Sequence, residues 1–176
     1  MEIKVPFYNI LNMLLTGLIF IGGCVIIYPD QTLTVLNNEI VKNIGTGPEI
    51  VITVCAFAAT YEIGLIINRT GSVVVEPFLK WVKLISFNDN YVLFNQKKKQ
   101  YPIMSTFSRE YALSRTGIVL FLVMFAMSIS ATKQRLAIAF AAIAVVYYLS
   151  CRKHAAKIVA LMQDDKTTEE KSGEQK

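Results

Sequence analysis

The stretch Pro48–Ile67, PEIVITVCAFAATYEIGLII, decides the fold. A helix needs roughly 20 mostly apolar residues to cross the ~30 Å hydrocarbon core of a bilayer, and this run meets that length. Gly47-Pro48-Glu49 opens it, with the proline where a missing N–H costs nothing. Asn68-Arg69-Thr70-Gly71 closes it, and glycine suits a helix stop.

Three further apolar runs lie outward from this one. Residues 6–28 form the first span, densest over Leu14–Tyr28, with Pro6 in the first helical position. The third covers 112–132 and the fourth 136–151. The apolar cores of these last two, Gly117–Ala131 and Leu136–Leu149, reach only about 22 Å as helix. Flanking residues must lengthen them, or the pair forms a re-entrant hairpin. Thr132-Lys133-Gln134-Arg135 is a tight connection, so spans three and four are expected to be antiparallel neighbours. The expected fold class is an all-α polytopic membrane protein, a four-helix bundle with interfacial helices between spans two and three. Its membrane domain would cover 1–163.

With 53% of its 176 residues hydrophobic and only 18% charged, the chain departs from soluble-domain composition mainly in distribution. Charge is missing from the four runs and collected between them. This argues against a soluble globular enzyme, a disordered chain and a disulfide scaffold. Cys24 and Cys55 lie within spans and Cys151 at the end of one, where they read as packing residues. Lipidation of Cys151, beside Arg152 and Lys153, is the weaker alternative. The first run continues through Val25-Ile26-Ile27-Tyr28, which favours an uncleaved span over a signal peptide.

Of the 18 lysines and arginines, all but Lys42, Lys133 and Arg135 fall in the N-terminus, the 72–111 region with its flanks, or the tail. The positive-inside rule then predicts that both termini and the central segment are cytoplasmic. On that topology the glycosylation-like Asn68-Arg69-Thr70 has no acceptor role.

Between spans one and two, Leu33, Leu36, Ile40 and Ile44 recur at helical spacing, which predicts a short surface helix or a lid. In the central segment, 72–111, Glu76-Pro77 reads as a new helix start. The apolar face of Phe78, Leu79, Trp81, Val82, Leu84 and Ile85, with Lys80 and Lys83 flanking the tryptophan, suits the inner leaflet surface. The competing reading is a core helix in a small cytoplasmic layer. Asn88-Asp89-Asn90 marks a turn, Tyr91–Phe94 is a short apolar patch of open type, and Ser105-Thr106 offers caps for a helix entering span three. Residues 164–176 are polar and expected to be disordered.

Glu62 is the foremost candidate site residue, because an ionisable side chain within a span is costly. It sits seven residues from Arg69, about 10 Å inside the boundary. Three readings stand: a polar link to Arg115, Asn9 or Asn12; a neutral acid favoured by desolvation; or the wall of a proton or cation path in an oligomer. Lys80, Trp81, Lys83, Lys97, Lys98, Lys99 and Arg109 are candidates for binding anionic lipid or a soluble partner. Basic charge alone, with scattered aromatics and no recognition motif, makes direct nucleic-acid binding a poor expectation. Gly17, Gly22, Gly23, Ala137 and Ala141 are candidate helix-packing positions. His154 is the only histidine; metal-ligand spacing, a phosphate loop and a nucleophile elbow are missing. A non-enzymatic chain without metal or cofactor is therefore expected.

Four phrases carry a resemblance: Phe7-Tyr8-Asn9-Ile10-Leu11-Asn12, Tyr61–Arg69, Val75-Glu76-Pro77-Phe78-Leu79, and Ser108–Arg115. Together they resemble small four-span membrane proteins of bacterial anti-phage defence operons, with the Kiwa membrane subunits the nearest named family. The resemblance implies an oligomeric membrane sensor that works with a cytoplasmic DNA-binding partner. It assigns no functional residue. The expected function is thus a self-associating membrane sensor or scaffold that docks a soluble cytoplasmic protein. The alternatives are a small oligomeric channel or proton-linked carrier using Glu62, and a plain membrane anchor.

Overall fold

The structure, a computed structural model, describes residues 7–37, 46–81 and 91–173. Lys42, Ile40, Ile44, Lys83, the apolar positions 82–85 and the Asn88–Asn90 turn lie outside the described residues. The described chain is all-α. Helix α1 is Phe7–Ile27 and α2 Pro29–Leu36; α3 is Thr46–Thr70, followed by a π-helical turn, Gly71–Val75, and α4, Glu76–Trp81. Then come α5 Tyr91–Gln100, α6 Ile103–Ser130 and α7 Gln134–Gly173. Four helical stretches, Phe7–Ile27, Gly47–Trp81, Ile103–Ser130 and Gln134–Met162, are long and apolar enough to cross a membrane. The third and fourth are long continuous helices of 28 and 29 residues, well beyond the short apolar cores read from sequence.

Helix α6 is the centre. Every residue from Thr116 to Phe121 is buried, and half of its apolar window is shielded, against about a fifth for each of the other three. A helix buried on consecutive positions needs neighbours on every side. Here α1, α3 and α7 all pack against it. One apolar cluster joins Ile27, Ile67, Val119, Leu120, Phe121, Met124 and Ala144 across α1, α3, α6 and α7. A second joins Leu79, Met104, Tyr111, Ile118, Cys151, Ala155, Ile158 and Met162 at the end of the bundle where α3 finishes.

Within lipid no hydrophobic force drives one apolar helix onto another, so close packing and polar links must do so. In the α1–α3 pair, a methyl group on Gly17 would strike the Thr60 carbonyl, and one on Gly64 the Met13 carbonyl. The backbones therefore touch, and the register, Met13 beside Gly64 and Gly17 beside Thr60, makes the helices antiparallel. Gly23 admits the Met124 side chain, whereas Gly22 faces open space. The packing role read for Gly22 is thus not used among the described residues; helical spacing turns it about 100° from Gly23. Ala137 is buried and Ala141 half-buried.

The opposite end is joined by two side-chain to backbone contacts. Lys133 Nζ donates to the Ile26 carbonyl at 3.2 Å, and Tyr28 Oη to the Met127 carbonyl at 3.3 Å. Lys133 thereby satisfies a carbonyl that the C-terminus of α1 leaves without a helical partner. Thr132 takes φ of 57°, and the N–H groups of Thr132 and Lys133 close back on Ile129 and Ser128. This is the left-handed helix stop with its two back-bonds, made without glycine.

Two expectations about helix ends are corrected. Gly71 does not stop the second span, and Glu76-Pro77 does not start a new helix. The chain runs on through the π turn, whose geometry is fixed by the Glu76 N–H donating to the Gly71 carbonyl. A proline inside a helix crowds the carbonyl four residues back, here Val73, and the widened turn containing Val73 is the local adjustment that accommodates it. Tyr91–Phe94 belongs to α5, which carries the basic run on its last turns. Helix α7 continues to Gly173, into the polar stretch expected to be disordered. Extending an existing helix escapes the nucleation cost that an isolated polar segment would face.

Gly64→Ala should lower stability in detergent by about 1–3 kcal/mol through overpacking, while Gly22→Ala should stay within about 0.5 kcal/mol of the native chain. Unfolding curves of the purified protein read both values. Equal effects at the two positions would contradict the packing of α1 on α3.

Candidate functional site

The polar centre of the molecule forms where α3 turns into α4 against α6. Gly71 lets the α6 backbone approach: a methyl group there would lie 3.3 Å from Arg115 Cγ and from its carbonyl oxygen. This places Arg115 against the π turn. Its Nη1 donates to Glu76 Oε2, and Lys80 Nζ lies 3.5 Å from Glu76 Oε1, one helical turn on. The Arg115 side chain is 12% exposed and that of Glu76 25%. The guanidinium also sits 5.6 Å from the centre of the Tyr111 ring, a cation–π contact one turn back along α6.

Neutral hydrogen bonds flank the ion pair. Thr116 Oγ1, almost wholly buried, donates to Asn68 Oδ1 at 2.8 Å, linking α3 to α6. Ser114 and Ser150 share a hydroxyl contact of 3.0 Å between α6 and α7. Three consecutive residues of α6, Ser114, Arg115 and Thr116, therefore reach α7, the π turn and α3. Buried charge is tolerated only when paired and bonded; Glu76 pairs the guanidinium through Nη1, while Arg115 Nε is buried without a hydrogen-bond partner among the described residues. The cluster can hold three helices in one arrangement. Among the described residues no group of three or more His, Cys, Asp or Glu side chains is placed to hold a metal.

The sequence-based site residues are scattered. Arg115 is paired with Glu76, not with Glu62. The reason is depth and direction: Arg115 packs at Gly71, nine residues or about 13 Å beyond Glu62. Glu62 is exposed, on the outward side of α3. Asn9 is exposed and Asn12 half-buried, and neither bonds Glu62. Lys80 is engaged by Glu76, and Trp81 is 80% exposed. The basic run divides: Lys98 and Lys99 face outward, but Lys97 is 2% exposed, its ammonium 5.4 Å from the Tyr101 ring centre. Lys97 is therefore not part of an open basic surface. Arg109 is exposed and lies over the Tyr8 ring at 5.3 Å.

Sequence reasoning passed over Glu76, Asn68 and Gly64. The signal for Glu76 was available, since a carboxylate at a membrane boundary near several cations must find one of them. Reading it as a helix-start residue hid that. Gly64 lies one helical turn from Thr60 within the span, but a lone glycine there gives no direction.

Comparison of the chain with known protein families, with curated proteins and with solved structures finds no match.

Glu76→Gln and Arg115→Gln should each cost about 1.5–3 kcal/mol, the range for hydrogen bonds to charged groups. Their double mutant should show a coupling of about 1 kcal/mol or more. Glu62→Gln and Arg115→Gln should instead add within about 0.5 kcal/mol. Denaturation of the four variants in one detergent checks both statements; strong coupling between Glu62 and Arg115 would contradict the observed pairing.

Proposed function

We propose that the chain is an integral membrane sensor or scaffold that self-associates and presents a basic cytoplasmic surface to a soluble protein. The observation that carries this reading is the placement of exposed cations. Lys98, Lys99, Arg109, Arg152, Lys153 and Lys157 are all open and all belong to the end of the bundle where α3 and α7 leave the apolar windows. By the positive-inside rule this end is cytoplasmic, with both termini on the same side. At the other end the described cations are two: Lys133, which donates to the Ile26 carbonyl, and the exposed Arg135.

The same end carries more helix than a plain anchor needs. The part of α4, α5 and the ends of α6 and α7 around Leu79, Met104 and Ile158 build their own apolar cluster beneath the cations. Such a layer gives a docked protein a defined surface. Trp81 and Phe78, exposed beside Lys80, suit the lipid headgroup region, where anionic lipid is the expected ligand. The resemblance to anti-phage membrane subunits agrees with a role in bacterial defence alongside a cytoplasmic partner. The reading is non-enzymatic and needs no cofactor; direct binding of nucleic acid is left to the partner.

A second reading, an oligomeric channel or proton-linked carrier, draws on one feature. Glu62 points out of the monomer, so it could line an ion path only between copies.

Affinity purification from native membranes should recover a soluble protein with the chain. Charge removal at Lys98, Lys99 and Arg109 should reduce that recovery several-fold without changing the amount of membrane protein. Recovery of the chain alone would contradict docking.

A further inference from the structure

Helix α7 carries too little apolar length for the membrane it crosses. Arg135 and Arg152 are both exposed, and they stand 17 residues apart, about 26 Å at helical rise. Lys153, also exposed, lies five full turns on from Arg135 and so on the same side of the helix. Between these cations Ala139, Ala142, Val146 and Leu149 are exposed and uncharged. The hydrocarbon core of a bilayer is about 30 Å thick. Cations closer together than that cannot both rest among the headgroups of an unperturbed bilayer, and any tilt of the helix shortens the band further along the membrane normal.

The other spans do not share this shortfall. Helix α1 has no charged residue from Phe7 to Ile27. Glu62 aside, α3 separates its exposed charges, Glu49 and Arg69, by 20 residues, about 30 Å. On α6, Arg115 is turned inward to Glu76. Nor can α7 slide to relieve the strain. The Ser114–Ser150 hydroxyl contact and the Tyr147 ring over Gly117 fix its height against α6. Side-chain direction adds to the problem at one end. Cβ atoms tilt toward a helix N-terminus, so Arg135 leans to the nearer headgroups, whereas Arg152 and Lys153 start toward the bilayer centre and must turn back.

Phospholipid phosphates can close the gap of about 4 Å. Phosphate accepts paired hydrogen bonds from a guanidinium and binds an ammonium as a point charge. Thinning the bilayer by that amount is a modest cost beside an exposed charge left in hydrocarbon.

We propose that the outward side of α7 draws the two headgroup layers together, with phospholipid phosphates of one leaflet on Arg135 and those of the other on Arg152 and Lys153. The bilayer beside this helix is then thinner than around the rest of the bundle. The proposal rests on α7 crossing the membrane, not on the docking of a soluble partner.

The test uses the full chain with Trp81→Phe and Val146→Trp, which puts its sole tryptophan on this side of α7. Vesicles contain dimyristoleoyl, dioleoyl or dierucoyl phosphatidylcholine, each mixed with brominated dioleoyl lipid. Quenching of the tryptophan reads which lipid occupies the surface. The short dimyristoleoyl lipid should bind about threefold or more tighter than the long dierucoyl lipid. Arg152→Leu with Lys153→Leu extends the band to Lys157, about 33 Å from Arg135, and should move the preference toward longer chains. Should that variant not assemble, Arg135→Leu lengthens the band from the other end and carries the same expectation. Equal binding of all three lipids, a preference for dierucoyl lipid, or an unshifted preference in the leucine variants would each overturn the proposal. A tryptophan that brominated lipid does not quench would mean that protein, a second copy or a partner, covers this side, and would overturn it as well.

Discussion

Burial of α6 on all sides from Thr116 to Phe121 is the constraint from which the arrangement follows. No lipid can reach those positions, so α1, α3 and α7 must surround the helix. Water does not push apolar helices together inside a bilayer, and the contacts that hold them are steric and polar. They occur where side chains vanish or carry hydroxyls. The Tyr147 ring fills the place of a Gly117 side chain, Met124 enters beside Gly23, and Thr116 bonds Asn68. Each removes a gap that dispersion forces would otherwise lose.

The ion pair at the end of α3 depends on this packing. Gly71 brings α6 close enough for Arg115 to meet Glu76, and the π turn between them rotates α4 so that its carboxylate faces inward. The turn also admits Pro77 without ending the helix. Sequence, backbone geometry and electrostatics therefore meet in Gly71–Pro77: the glycine for approach, the wide turn for the proline, and the glutamate for the buried arginine. The result is a continuous helical junction between the apolar windows and the layer that carries the exposed cations.

Span number, helical class and the antiparallel relation of α6 and α7 were legible in the sequence, because apolar length and a tight Thr132–Arg135 connection leave few alternatives. What sequence could not supply was direction. Gly22 and Gly23 are identical letters, and only the facing of α1 separates open space from the Met124 contact. Lys97 reads like Lys98 and Lys99, yet one turn position takes it into the interior. Arg115 was recognisable as a cation that needs a carboxylate. Glu62 was only one candidate partner, and Glu76 was missed because Gly71 and Glu76 were read as punctuation, so that the helix carrying Glu76 past Arg115 was broken in two.

The central claim is that α6 is the shielded axis of the membrane domain. Lipid accessibility of single spin labels placed along Thr116–Met124 tests it most directly, with oxygen as the lipid-soluble relaxant. The account predicts low accessibility at every position from 116 to 121 and at 124, with high values only at Leu122 and Val123. An oscillation with helical period that begins at Thr116 would mean that one side of α6 faces lipid, and would contradict it.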